Sequence, residues 1–149
     1  MTELEAIKAR HSVRQYLDKP IEAEKIGAIQ DCIDLCNREG GVHFQLIANE
    51  PEAFSSIMAK YGKFENVNNY IAIIAPKGDS GTVTAGFYGV KLVLFIQTLG
   101  LNTCWVGGTY KKIKEAYSVG QEEELKCVIS FGYGATQSKQ HPQKKTFAD

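Results

Sequence analysis

The chain lacks net charge, long apolar runs and any obvious cysteine framework, and each shortage removes a class of function. Lys plus Arg number 17 and Asp plus Glu number 17, so the formal charge is zero. Such a balance offers no field for nucleic acid or for an anionic membrane. No segment reaches the ~18 uninterrupted apolar residues of a transmembrane helix. The opening MTELEAIKARHS carries acidic residues and no apolar run, so it does not read as a secretory signal. The four cysteines (Cys32, Cys36, Cys104 and Cys127) are then expected as reduced thiols in a cytoplasm. Cys32 and Cys36 share a helix face and His43 is the nearest further ligand, but the spacing matches no common zinc pattern. No metal site is expected, and all four cysteines read as packing residues.

Signatures of catalysis are missing too. No Gly-x-Gly-x-x-Gly follows a strand pattern, which leaves a Rossmann dinucleotide site unsupported. His11 and His43 lack the spaced Asp and nucleophile of a triad. Gly78-Asp79-Ser80-Gly81 spells the serine tetrad of trypsin-like proteases, but here the tetrad opens a helix, where that motif has no meaning. Lys111, Lys112 and Lys114 read as a solvated helix face. No acid, base or nucleophile stands out, so no catalytic side chain is assigned.

What is present suits one soluble domain over residues 1–149, with hydrophobic residues at 44% and charged residues at 23%. Helices are expected over 2–9, 22–39, 51–61, 82–100 and 109–117, and strands over 43–48, 70–75, 102–107 and 125–133. Thr2 and Glu5 form a capping-box pattern. The 82–100 helix is apolar on most of its circumference, with Lys91 its only charge. Such a helix is covered on most sides, either as a core element or as a homodimer interface. Gly86 and Gly89 permit close backbone approach. The chain turns polar after Gly134 and ends soon after a Lys pair, which reads as short or truncated.

Two segments carry functional information. In Arg10-His11-Ser12-Val13-Arg14, an extended backbone would set Arg10, Ser12 and Arg14 on one face. Two guanidiniums and a hydroxyl there suit a phosphomonoester; the other reading is two solvated arginines after a helix. In the second segment, 99–109, a long apolar helix runs into a short strand and then Gly107-Gly108-Thr109. Glycines let backbone N–H groups approach a flat ligand. Alternatively, they serve only a strand-to-helix turn capped by Thr109.

Together these segments resemble the FMN-dependent nitroreductase family. The likeness runs through RHSVRQYLDKPI, GFYGVKLVLFIQTLGLNTCWVGGTY and FGYG…QKK. It implies an α+β fold, a three-layer α/β/α sandwich with a mostly antiparallel sheet, in an intertwined homodimer joined through the 82–100 helix. It implies FMN at the dimer interface, with Arg10, Ser12 and Arg14 on its phosphate and ribityl chain and His11 adjacent. Trp105 and Val106 would lie beside the isoalloxazine, and the Gly107 and Gly108 backbones would face N5 and O4. Lys144 or Lys145 would approach the phosphate, although the family pattern separates its two basic residues and here they are adjacent. Arg38, or Asn37, is the candidate for the pyrimidine edge. The implied activity is hydride transfer from NADH or NADPH through FMN to a nitroaromatic, quinone or similar small acceptor. The alternative is a flavin- or ligand-binding protein of the same fold with little turnover.

Overall fold

Helix formation begins at the second residue. In the computed structural model, which describes residues 1–137, Thr2 caps α1 (Glu3–Ala9). Its hydroxyl accepts from the Glu5 amide at 3.2 Å, and the Glu5 carboxylate accepts from the Thr2 nitrogen at 2.8 Å. That reciprocal pair satisfies two amides the helix cannot. α2 (Ala23–Gly40) turns Ile29, Ile33 and Cys36 inward and stops at Gly41, whose φ of 62° suits glycine. The Asn37 side chain then clamps the next segment, accepting from Phe44 N at 2.8 Å and donating to Phe44 O at 3.1 Å. β1 (Gln45–Ile47) is shorter than expected, and Ala48 is exposed beyond its end.

The sheet has the order β1-β2-β4-β3, and every pairing is antiparallel. β2 (Tyr70–Pro76) is interior and buried from Tyr70 to Ala75, as its unbroken apolar run predicts for a strand covered on both faces. β4 (Glu123–Gly132) pairs with it through a register shift at Ile73/Ile74 that leaves Lys126 as an extra residue, a β-bulge. β3 (Asn102–Val106) lies at the outer edge.

α4 (Asp79–Thr98) starts three residues earlier than the periodicity predicts. The Gly78-Asp79-Ser80-Gly81 tetrad is its entry. Gly78 sits at φ 95°, and a Cβ on Gly81 would stand 1.8 Å from the Pro76 carbonyl oxygen. Both glycines therefore serve the strand-to-helix crossing.

The sheet separates two cores. On one face α2 and α4 pack Ile29, Ile33, Leu92 and Ile96 against Ile71, Ile73 and Phe131. On the other, Val13, Tyr16, Phe54, Phe64 and Tyr110 cover Ala72, Ile74 and Val128. The α+β, antiparallel class is as expected, but the second helical layer is thin. It comprises a 3₁₀ turn (Glu52–Phe54), α3 (Ile57–Tyr61) and loops.

The structure corrects two expected helices. Over 51–61, the Glu50 carboxylate caps the 3₁₀ turn by accepting from Glu52 N and Ala53 N. Ser56 then restarts the chain as the cap of α3, with the buried Phe54 ring wedged against Phe64. Over 109–117, Lys111 N donates to Ala53 O at 2.7 Å and Tyr110 stacks on Phe54, so the backbone bonds outward and only the 3₁₀ turn Lys114–Ala116 remains helical. Among the described residues, no helix is long and apolar enough to cross a membrane.

Gly81→Ala forces backbone against backbone, so chemical denaturation should show a loss of about 1–3 kcal/mol, the usual cost of overpacking. A Cβ on Gly27, at an exposed position of α2, meets nothing within 4 Å among the described residues. Gly27→Ala should therefore raise stability by about 0.5–1 kcal/mol.

Candidate functional site

The N-terminal segment returns along the free edge of β3. Ser12 forms a parallel bridge with Thr103, and Val13 N donates to Thr103 O at 3.0 Å. Val13 and Tyr16 are buried and anchor the segment. The segment brings Arg10 and Ser12 onto successive residues of β3. Arg10 Nη1 reaches Thr103 Oγ1 at 3.5 Å, and the Ser12 hydroxyl bonds the Cys104 thiol.

Burial pushes the Cys104 thiol up, although Arg14, Ser12 and Arg10 all favour its anion. Burial likewise pushes the Tyr16 phenol well above its ordinary value, against the pull of Ser130, Arg14 and Arg10. Both groups are neutral supports. The Tyr16 hydroxyl donates to Val13 O at 2.6 Å and lies 2.9 Å from Ser130 Oγ. Among the described residues, neither Arg10 nor Arg14 has a carboxylate partner. His11 Nδ1 donates to Ala9 O at 2.9 Å, and Nε2 is buried with no partner among the described residues.

α4 builds the opposite wall. At Gly89 a Cβ would stand 2.4 Å from the Trp105 ring, so the indole rests on bare helix backbone. The ring closes one side of a cleft of about 470 Å³, lined also by Ile7, Arg10, Val90, Val93 and Leu94. Five apolar walls and one guanidinium suit a flat ligand with an anionic end.

β3 ends at Val106, and Gly107 and Gly108 beyond it are exposed. Among the described residues a Cβ on either would meet nothing within 4 Å, and neither has a positive φ. The reading that the turn itself demands glycine is therefore overturned. The expected helix capped by Thr109 is also absent.

The remaining candidates separate. Trp105 belongs to the helical core side, whereas the Val106 side chain is buried in the opposite core, so only its backbone remains near the cleft. Arg38 is exposed in the last turn of α2, and Asn37 is committed to Phe44. Lys144 and Lys145 lie outside the described residues. Sequence reasoning missed Thr103 and Ile7. Thr103 shows itself only through strand pairing, and Ile7 only through the packing of α1 on α4.

An antiparallel α+β sheet of this kind, flanked by α2 and α4, is the nitroreductase-like fold. The chain belongs to the family described as "Putative TM nitroreductase", whose family model matches residues 3–149. It is similar to an FMN-dependent nitroreductase from Clostridium difficile R20291, with a TM-score of 0.71 and 22% identity over 93% of this chain and 91% of that one. It is similar to a "putative nitroreductase in complex with fmn" from Desulfovibrio desulfuricans, with a TM-score of 0.73 and 17% identity over 99% and 94%. The NfrA1 nitroreductase of Bacillus subtilis gives a TM-score of 0.75 and 13% identity over 95% and 70%. No curated protein matches.

Trp105 is the single tryptophan, so its fluorescence reports the cleft directly. Gly89→Ala should displace the ring, shift its emission and cost about 1–3 kcal/mol. Unchanged emission would show that the ring does not rest on Gly89.

Proposed function

We propose that the chain is an FMN-dependent oxidoreductase that takes a hydride from NADH or NADPH and delivers it to a nitroaromatic, quinone or similar acceptor. The observation that carries this reading is Arg10, without a carboxylate partner among the described residues, lining an apolar cleft beside the β3 edge. FMN has three parts, and each finds its complement. Arg10 and Arg14, with Ser12, would hold the phosphate through charge-assisted bonds. The unpaired His11 Nε2 would accept from a ribityl hydroxyl. Trp105 and the walls of α4 would cover the ring, and the amides of Gly107 and Gly108 would meet N5 and O4. Arg38 toward the pyrimidine edge and Lys144 or Lys145 toward the phosphate complete the proposal.

When bound, FMN supplies the hydride relay. The chain's own residues bind, orient and exclude water, which is why the site needs no acid or base. The exposed glycines fit this role, since a side chain there would stand where the ring approaches.

The same reading includes a homodimer. Val83, Phe87 and Val90 recur along α4 and are 72%, 58% and 49% exposed, and Leu4 and Ile7 of α1 are exposed as well. A second copy on this stripe would close the cleft. Four free thiols fit a reducing cytoplasm.

Purified protein should be yellow and release FMN, not FAD, on denaturation. Arg10→Ala and Arg14→Ala should each weaken FMN binding by roughly 10- to 150-fold in an apoprotein titration, the worth of one charge-assisted contact. Wild-type affinity in both would reject the phosphate contact. Gly107→Val and Gly108→Val should melt like wild type yet bind or reduce flavin poorly, with Thr109→Val less affected.

Val90→Asp should convert dimer to monomer or aggregate in sedimentation, because an unpaired interfacial carboxylate is costly. Val93, also on this helix, is 1% exposed within the subunit's own core and cannot report the interface. A wild type that sediments as a clean monomer would reject the dimer.

A further inference from the structure

The strap after Gly108 walls a second groove, separate from the Trp105 cleft. Its volume is about 530 Å³, within the range of small-molecule sites. It exists because β3 stops at Val106, opposite Val128, and leaves β4 without a strand partner on that edge from Glu123 to Cys127 among the described residues. The strap is held in place by the stacked Tyr110 ring and by the bond from Lys111 N to Ala53 O.

The groove has three chemically distinct surfaces. Lys112 and Lys114 line it, both exposed, and neither has a carboxylate partner among the described residues. Tyr117, Val119 and Leu125 supply an apolar floor. Glu123 and Glu124 line the β4 side. Neither carboxylate forms an ion pair with these lysines among the described residues: Glu123 is held by His43 Nδ1 at 3.0 Å and by Gly120 N at 2.8 Å, and Glu124 by Lys126.

Two free ammonium groups call for phosphate. An apolar floor with an aromatic ring calls for a planar base. Carboxylates with spare lone pairs call for hydroxyl or amino donors. A phosphorylated nucleoside carries all three. We propose that this groove receives the 2′-phosphoadenosine end of NADPH, so that Lys112 and Lys114 select NADPH over NADH. The proposal rests on the oxidoreductase reading for its choice of nucleotide. Lys112 is five residues beyond Gly107, at most about 18 Å along the chain, a span that an extended dinucleotide can bridge.

The probe is adenosine 2′,5′-bisphosphate, titrated calorimetrically into the purified protein, with 5′-AMP and inorganic phosphate in parallel. Its binding needs no flavin turnover. The expected result is that the bisphosphate binds more tightly than either comparison ligand. Lys112→Ala/Lys114→Ala should weaken it about tenfold or more, the factor that about 1.4 kcal/mol represents. Both lysines are exposed, so the double variant should melt like wild type. Its kcat/KM should fall by a similar factor for NADPH and stay unchanged for NADH.

No bisphosphate binding at millimolar concentration, equal binding of inorganic phosphate, wild-type affinity in the double variant, or equal losses for NADH and NADPH would each overturn the assignment. Bisphosphate binding that the double variant loses, in a protein that oxidises neither nicotinamide, would uphold the groove as a nucleotide site and reject the oxidoreductase reading.

Discussion

The pairing of Ser12 and Val13 with Thr103 decides the rest of the site. Without it β3 would present a bare edge, and an open edge invites pairing with another chain. With it the edge is covered, Val13 and Tyr16 enter the second core, and Arg10 and Arg14 have no carboxylate partner among the described residues. The same pairing explains why α1 is so short. Its backbone turns extended at Arg10, with ψ at 130°, to meet the strand, and the helix before it is drawn against α4. Ile7 thus becomes part of the cleft through backbone pairing several residues away.

The glycines show how one residue type answers three different demands. Gly81 is required because two backbones nearly touch, and Gly89 because an indole needs the room. Gly107 and Gly108 answer to neither conformation nor packing among the described residues. That lack of an internal reason gives the pair its functional interest, and the surroundings of each glycine had to be seen before the three cases could be told apart.

Elements with strong local signals were legible in the amino-acid pattern: the capping box of Thr2 and Glu5, the inward stripe of α2 ending at Gly41, and the apolar run of β2. Where tertiary bonds compete with local preference, the pattern misleads. Tyr110, Ile113, Ala116 and Tyr117 have helical spacing, yet they are apolar because a strap lies on a core, and its amide at Lys111 is spoken for by Ala53. The same pattern set Lys111, Lys112 and Lys114 on a helix; they are exposed, as expected, but on the strap. The extended course of the segment after α1 was legible too, since its backbone leaves the helix at Arg10 and pairs with β3 at Ser12. The burial of the Val106 side chain was not, because consecutive strand residues part to opposite faces and only the sheet's layers show which face is covered.

The two cores are built to different strengths. One is roofed by helices of 18 and 20 residues, the other by a five-residue helix, two 3₁₀ turns and loops. Short elements contribute few cooperative backbone bonds, so partial opening costs least there. Opening on that side would expose the amides around 51–67 and 109–120 and leave the sheet, its long helices and the face on which α1 and α4 meet closed.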